Sequence, residues 1–148
     1  MKAITIRQPY AQLIVRGLKH YETRSWPTKF RGGLAIHAGK RPADDTLREL
    51  DEETAQRLRI DLGQLDSLPL GAVVGAVYIE DCIPITDAFR AALPQDELAV
   101  GHYEDGWYAW KIADYPLELS EPIPCTGAQG FWEFNAVKEL GKHEQKQK

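Results

Sequence analysis

The sequence predicts an α+β domain built around a small mixed or antiparallel β-barrel. Two observations indicate this class: short strand-like stretches recur with helical stretches inserted between them, and they never form the regular strand–helix–strand alternation of a parallel sheet. A length of 148 residues suits one domain, and 43% hydrophobic with 27% charged residues is ordinary for a globular protein. We expect a single domain over residues 1–137 and a polar, flexible tail over residues 138–148.

The N-terminal quarter predicts a strand, a short helix and two further extended segments. Alternating apolar and polar residues predict a strand over residues 3–7. Pro9 suits the start of a helix and Gly17 suits its end in the left-handed conformation, so about two turns of helix lie between them. Residues 20–26 are then extended, because the proline that follows opposes a helix, and residues 34–38 form the next strand.

The remainder of the chain predicts a long surface helix and a series of strands. Apolar residues at helical spacing among many charges predict a helix over residues 42–60, followed by a loop over residues 62–69. The β-branched stretch GAVVGAVYIEDC, bounded by turn residues, predicts a strand over residues 71–82. The other predicted elements are a short helix over 87–92 and strand pieces over 107–112, 118–119 and 130–134.

Composition argues against several classes of protein. No apolar run approaches the roughly 18 residues that span a bilayer, and the N-terminus has no apolar signal-peptide centre, so we expect a cytoplasmic protein without membrane contact. Cys82 and Cys125 lack the spacing of metal ligands, and no metal site is predicted. We also expect no cofactor and a monomer, and the sequence leaves any protein partner unidentified.

Charge is distributed unevenly along the chain. The net charge of −4 argues against a general nucleic-acid binder. Residues 1–42, however, hold nine basic residues and one acidic residue, a segment charge of +8, which leaves −12 on the remainder. A local anion-binding surface is therefore compatible with the acidic total. The nine basic residues are Lys2, Arg7, Arg16, Lys19, Arg24, Lys29, Arg31, Lys40 and Arg41.

The stretch GLKHYETRSW concentrates charge directly behind the predicted helix. A period of two places Glu22 and Arg24 on one face of the extended segment, together with His20 and Trp26. Lys19 leaves the helix at a point from which its flexible stem can reach the same side. One interpretation is a surface ion pair of Glu22 with Arg24 or Lys19, worth about 0 to 1 kcal/mol. The other interpretation is a functional site.

The residues before this stretch favour the functional site. Arg7 lies directly before a helix whose N-terminal amides would attract an anion, with Pro9 at the helix start. The carboxamide of Gln8 can donate to and accept from a base edge. Three aromatic residues offer stacking faces to bases, although each can equally belong to the core. These are Tyr10, Trp26 and Trp110.

The signature G-x-K-x-x-E-x-R fits GLKHYETR, and longer stretches around it extend the match. In order, these are IRQPYAQLIVRGLKHYETRSW, RGGLAIHAGK, LPLGAVVGAVYIEDC and PIPCTGAQGFW. Together they resemble the ASCH domain, the activating signal cointegrator-1 homology domain of the PUA-like superfamily, over almost the whole chain. The resemblance is greatest to the cointegrator-type branch, in which the helix-opening Gln-Pro-aromatic and the Arg-Ser-Trp after the signature are also present.

The resemblance implies a PUA-like β-barrel in which the signature helix and strand edge a cleft for RNA, DNA or a nucleotide-like ligand. Lys19 and Arg24 would contact phosphate or a base edge, and Glu22 would orient Arg24 or accept from an exocyclic amine. Gln8 and Tyr10 would form the opposite wall. The expected ligand-binding residues are Arg7, Gln8, Pro9, Tyr10, Lys19, Glu22, Arg24, Trp26, His37 and Lys40.

Three alternatives stay open beside an RNA- or DNA-binding ASCH domain. Small bacterial amidohydrolases of N4-acetylcytidine in the superfamily use a Lys, a Thr and a Glu; Lys19 matches the Lys, Glu22 stands in place of the Thr, and Glu104 is the candidate for the Glu. A Lys acts as nucleophile or base only if burial lowers its pKa from about 10. A ribonuclease is the second alternative, although no pair among the histidines has spacing for acid–base cleavage. An interaction surface on residues 42–60 is the third.

Overall fold

A mixed β-sheet with flanking helices forms the molecule. The computed structural model describes the backbone of residues 1–147 and the side chains of residues 1–141. The strands are β1 Lys2–Ile6, β2 Tyr21–Arg24, β3 Gly32–Ala38, β4 Ala72–Pro84, β5 Tyr108–Ile112, β6 Leu117–Pro124 and β7 Trp132–Glu133. The α-helices are α1 Tyr10–Val15, α2 Glu52–Arg57, α3 Asp87–Ala92, α4 Gln95–Ala99 and α5 Ala136–Gln147, and 3-10 helices cover Asp45–Glu49 and Leu62–Ser67.

The strands join in the order β2-β5-β4-β3-β1-β7, and β6 also pairs with β4. Strands β1 and β3 are parallel, whereas the other pairs are antiparallel. The 13-residue strand β4 pairs with β3, β5 and β6. Its register shifts between Val73 and Gly75 in the pairing with β6, and between Ile79 and Asp81 in the pairing with β5. Such irregularities bend a strand, and the sheet curls into a half-barrel.

Helix α1 packs across the inner side of the curled sheet. Its residues Ile14 and Val15 are buried in the main hydrophobic core. A Cβ added at Gly75 of β4 would lie 2.7 Å from Cγ1 of Val15, so glycine permits this close approach of strand to helix. Gly17 has a φ of +75° directly behind α1, as the sequence predicts. The packing of α1 and the turn at Gly17 therefore set the direction in which the chain enters β2.

Most predicted strands are confirmed, but the predicted helix over residues 42–60 is wrong. That region contains a 3-10 helix and then α2, separated by Leu50 in an extended conformation with ψ of 139°. Asp44 accepts a hydrogen bond from the Thr46 amide and Asp51 accepts one from the Thr54 amide, so each short helix has its own N-cap. Two capping residues seven positions apart thus divide the segment.

Four further differences concern three helical segments and one strand. The predicted loop over residues 62–69 contains a 3-10 helix, capped by Asp61. Helix α4 was not predicted, and β6 is longer than its predicted piece. The expected irregular tail is helical as α5, Ala136–Gln147; its flexibility stays a prediction, and residue 148 lies outside the described residues. Of the helices that are described, none has the length and apolar character needed to cross a membrane.

Candidate functional site

Two adjoining cavities form a groove beside β1 and β2. The Lys19 cavity has a volume of about 670 Å³, and the His37 cavity has a volume of about 690 Å³. They share Thr5, Arg24 and Trp26, so these residues lie at the junction. The Lys19 cavity also contains Arg7, Tyr10, Lys19, Glu22, Arg41, Asp44, His102 and Trp107. The His37 cavity also contains His37, Lys40, Thr126, Gly127, Ala128, Gln129 and Gly130.

Arg24 at the junction is held by three hydrogen bonds. Its Nε and Nη2 donate to Oε2 of Glu22 at 3.1 and 3.0 Å, and Nη2 also donates to the Thr5 carbonyl at 2.9 Å. The predicted neighbourhood of Glu22 and Arg24 is therefore present. Glu22 is buried and also accepts from the Thr23 amide at 3.0 Å, so its carboxylate is held in place and in turn fixes the Arg24 guanidinium.

Lys19 follows α1 and is buried, with 3% of its surface exposed. Its Nζ donates to the Tyr21 carbonyl and lies 5.5 Å from the centre of the Tyr103 ring. Burial lowers the pKa of the Lys19 amine, and the charges of Glu22 and Glu97 oppose that shift. The amine thus lines its cavity, where the negative charges of Glu22 and Glu97 act on it.

Glu97 is the buried carboxylate that the sequence did not reveal. It accepts from the His20 amide at 2.7 Å and from the Tyr103 hydroxyl at 3.0 Å, and its Oε2 lies 2.9 Å from Nδ1 of His20. Burial by itself raises the pKa of the Glu97 carboxyl, but the His20 hydrogen bonds and the Lys19 charge outweigh it and leave that pKa lowered. The hydrogen bond to Glu97 raises the pKa of His20.

Glu104, the candidate catalytic carboxylate, does not line either cavity. It is exposed and pairs with Nε2 of His102 at 3.0 Å. Glu97 comes from the unpredicted helix α4, so sequence reasoning had no ground to weigh it beside Glu104. A single acidic residue on a short amphipathic helix carries no signal of its burial.

His37 is a structural part of its cavity wall. Its Nε2 lies 2.8 Å from the Cys125 carbonyl, which can only accept, so Nε2 carries the proton. Its Nδ1 then accepts from the Thr5 hydroxyl at 3.1 Å, and the Thr5 oxygen accepts from Nε1 of Trp132 at 3.2 Å. Burial lowers the pKa of His37, which favours the neutral form of the ring. Both ring nitrogens are therefore engaged, and a ligand meets the ring and not a free polar atom.

Gln8 is completely buried and does not line the groove. Its carboxamide donates to the Pro69 carbonyl at 2.9 Å and accepts from the Gln12 amide at 3.0 Å. The Ala11 amide donates to the Arg7 carbonyl, so the start of α1 bonds internally. Pro9 follows a cis peptide bond and is buried, so it does not form the expected anion site. Gln8 is likewise not placed to make the expected contact with a base.

The aromatic residues divide between the core and the groove. Trp110 is fully buried, with Phe131 stacked at a centroid distance of 5.4 Å, so it belongs to the core. Trp26 packs edge-on against Trp110 and lines both cavities. Tyr10 and the unpredicted Trp107 line the Lys19 cavity. The groove thus retains aromatic surfaces at its junction and on one side.

The basic side chains that the groove exposes are Arg7, Lys40 and Arg41. Nε of Arg7 donates to the Pro42 carbonyl at 3.0 Å, which holds its guanidinium beside the Lys19 cavity. Arg41 is exposed in the same cavity, and Lys40 is exposed in the His37 cavity. Among the side chains described, no three His, Cys, Asp or Glu residues converge as a metal site.

The curled mixed half-barrel with flanking helices has the PUA-like fold. Residues 4–123 match the family model of the ASCH domain, and the chain belongs to this family. It is 32% identical over 135 residues to activating signal cointegrator 1 of Mus musculus and 30% identical to that of Homo sapiens. These matches cover 90% of the chain but 22% of each relative, so the chain spans about a fifth of their length.

The solved structure of ASCH from Zymomonas mobilis has the same fold. It matches with a TM-score of 0.57 at 16% identity, covering 97% of this chain and 93% of that one. The family and the PUA-like fold that the sequence predicts are thereby confirmed. At this identity the structural likeness concerns the fold and not the ligand.

Proposed function

We propose that the groove binds single-stranded nucleic acid, RNA or DNA. The observation that carries this proposal is the continuity of two cavities that share Arg24 and Trp26, a cation and an aromatic ring. Groups of these two kinds, a phosphate partner and a stacking surface, are the recurring components of single-strand recognition. A ligand of this class also suits an ASCH domain.

The charges of the groove favour a polyanion despite the acidic total. Arg7, Arg41 and Lys40 are cationic and reach the solvent-facing part of the two cavities. Glu22 and Asp44 are the acidic residues of the groove. Glu22 is paired with Arg24, and the Asp44 carboxylate accepts from the Thr46 amide and hydroxyl, whose hydrogen bonds lower its pKa. The groove therefore presents net positive charge where a phosphate backbone would lie.

The test is titration of a fluorescent decanucleotide by anisotropy at several salt concentrations. We expect affinity to fall with salt, with a log–log slope of about −2 that corresponds to roughly three phosphate contacts. Arg24→Ala should weaken binding, whereas Arg31→Ala should not, because Arg31 comes from the same basic segment but lines neither cavity. Absence of binding at low salt, or equal losses in both variants, would refute the proposal.

A small hydrolase acting on a modified nucleoside is the second candidate. The burial of Lys19 favours it, because a lowered pKa raises the neutral, nucleophilic fraction of the amine. The charges of Glu22 and Glu97 oppose that shift, since both stabilise the protonated amine. We rank binding first because the cationic and aromatic groups extend well beyond Lys19.

A further inference from the structure

Arg24 keeps unused hydrogen-bond donors at the junction of the two cavities. Its Nε and Nη2 are engaged by Glu22 and Thr5, whereas Nη1 has no hydrogen-bond partner among the described residues. About a quarter of the side chain, 24%, is exposed. An arginine held in place on one side with free donors on the other is suited to one phosphate group. That phosphate would lie between the cavities.

The segment Thr126–Gly130, here called the TGAQG loop, closes the His37 cavity and is anchored against it. His37 donates to the carbonyl of Cys125, directly before the loop. A Cβ at Gly127 would lie 2.7 Å from Nδ1 of His37 and closer still to the Thr5 hydroxyl, so only glycine allows the loop to lie this close. The loop is thus positioned by the same Thr5–His37 pair that forms the cavity wall.

The TGAQG loop presents polar groups that the fold does not use. Within the described residues, no backbone amide from 126 to 130 donates a hydrogen bond, and the exposed carboxamide of Gln129 has no hydrogen-bond partner. Lys40 supplies a positive charge to the same cavity, and no acidic residue lines it. Amide donors and acceptors beside a cation match the edge of a base that is attached to a phosphate.

We infer that the groove holds two consecutive nucleotides, one in each cavity, with the linking phosphate on Arg24 and the base in the His37 cavity contacted by Gln129. The inference rests on the proposed function and adds its minimum ligand and its second subsite. Each cavity has a volume within the range of about 300 to 1,000 Å³ that is typical for small-ligand sites. A duplex is excluded as the ligand, because its bases would not be free to enter separate cavities.

The experiment measures competition with the fluorescent decanucleotide by unlabelled competitors of increasing length. Uridine 5′-monophosphate, the 5′-phosphorylated uridine dinucleotide and the tetranucleotide are compared, each as ribose and deoxyribose forms. Pyrophosphate controls for charge, since it approaches the charge of the dinucleotide and carries no base. We expect the dinucleotide to compete at least about fivefold better than the monophosphate and pyrophosphate, because a second base adds its contacts.

Gln129→Ala tests the second subsite and Gln95→Ala is its matched control. Gln95 is an exposed glutamine on α4 that lines neither cavity. Gln129→Ala should weaken dinucleotide binding about fivefold, the loss of roughly one hydrogen bond, and leave monophosphate binding unchanged. Gly127→Val should remove the advantage of the dinucleotide over the monophosphate, provided that its circular dichroism and melting match the wild type.

The outcomes separate this inference from the proposed function. If the decanucleotide binds and depends on Arg24 but the dinucleotide has no advantage over the monophosphate, the two-nucleotide inference is overturned and the proposed function stands. An unchanged affinity of Gln129→Ala would likewise remove the second subsite. If no oligonucleotide binds, both fail. Equal behaviour of the ribose and deoxyribose series would mean that the site does not contact the 2′-hydroxyl.

Discussion

The burial of Lys19 predicts a coupling between its charge and that of Glu97. Lys19→Met removes a buried cation whose charge acts on Glu22 and Glu97, although Glu22 keeps its ion pair with Arg24 and Glu97 keeps its hydrogen bonds with His20. Because both carboxylates keep these partners, we expect Lys19→Met to cost about 1 to 3 kcal/mol of unfolding free energy. Glu97→Gln weakens three hydrogen bonds, those from the His20 amide, the His20 ring and the Tyr103 hydroxyl, and should cost about 1 to 3 kcal/mol.

Urea unfolding of the wild type, both single variants and the double variant measures the coupling. With a denaturant slope of about 2 kcal/mol/M, a loss of about 2 kcal/mol in Lys19→Met lowers the midpoint by about 1 M. The double variant should be less destabilised than the sum of the singles by about 1 kcal/mol, because Glu97→Gln removes one of the two negative charges that favour the Lys19 cation.

Additive losses, within about 0.5 kcal/mol, would refute the electrostatic account of the Lys19 cavity. A Lys19→Met variant as stable as the wild type would refute it also, since an exposed lysine loses little on substitution. Titration of the Lys19 amine by NMR supplies an independent measurement. Its pKa should lie below the ordinary value of about 10.4 for lysine.

Three further predictions concern single side chains. The lowered pKa of His37 means that the unfolded chain binds protons more readily, so acidification from about pH 7 to about pH 5 should destabilise the wild type more than His37→Gln in urea unfolding. The raised pKa of His20 has the opposite effect on stability, but His20 is present in both the wild type and His37→Gln, so its effect cancels in the comparison. Arg24→Ala should reduce oligonucleotide affinity and leave the domain folded, at a cost of about 1 to 3 kcal/mol because the buried Glu22 loses its partner. Trp132→Ala should lose about 3 kcal/mol, because its ring packs on His37 and donates to Thr5. An Arg24→Ala variant that fails to fold, or that folds and binds like the wild type, would contradict the assignment of Arg24 to the site. The purified protein should show no turnover of N4-acylated cytidine above a no-enzyme control in a chromatographic assay; deacylation that Lys19→Arg abolishes would instead make the hydrolase the first candidate.

Local sequence patterns predicted the strands, the end of α1 and the pairing of Glu22 with Arg24. These features depend on residues close in sequence: a period of two, a glycine with positive φ, and two residues on one strand face. The division of residues 42–60 could also have been found, because Asp44 and Asp51 each precede a capped turn. Weighting the apolar stripe above the capping residues gave the wrong result there.

Depth and long-range contacts could not be predicted in the same way. Periodicity assigned Lys19 and Glu22 to a side of the chain but gave no information about what covers them. Glu97, which bonds to the amide of His20, lies 77 residues further along the chain. The burial of Gln8 against the Pro69 carbonyl depends on a contact 61 residues away. Family resemblance pointed to the stretch that lines the groove but did not separate the exposed residues of that stretch from its buried supports.

The hydrogen bond from Trp132 to Thr5 joins residues 127 positions apart and has a consequence for the order of folding. Strand β7 can pair with β1 only after the chain between them has become compact, since closing so long a loop is entropically unfavourable at the outset. Thr5 holds His37 and lies at the junction of both cavities. We therefore expect the groove to be completed late in folding, so that compact but partly folded chains lack a finished site.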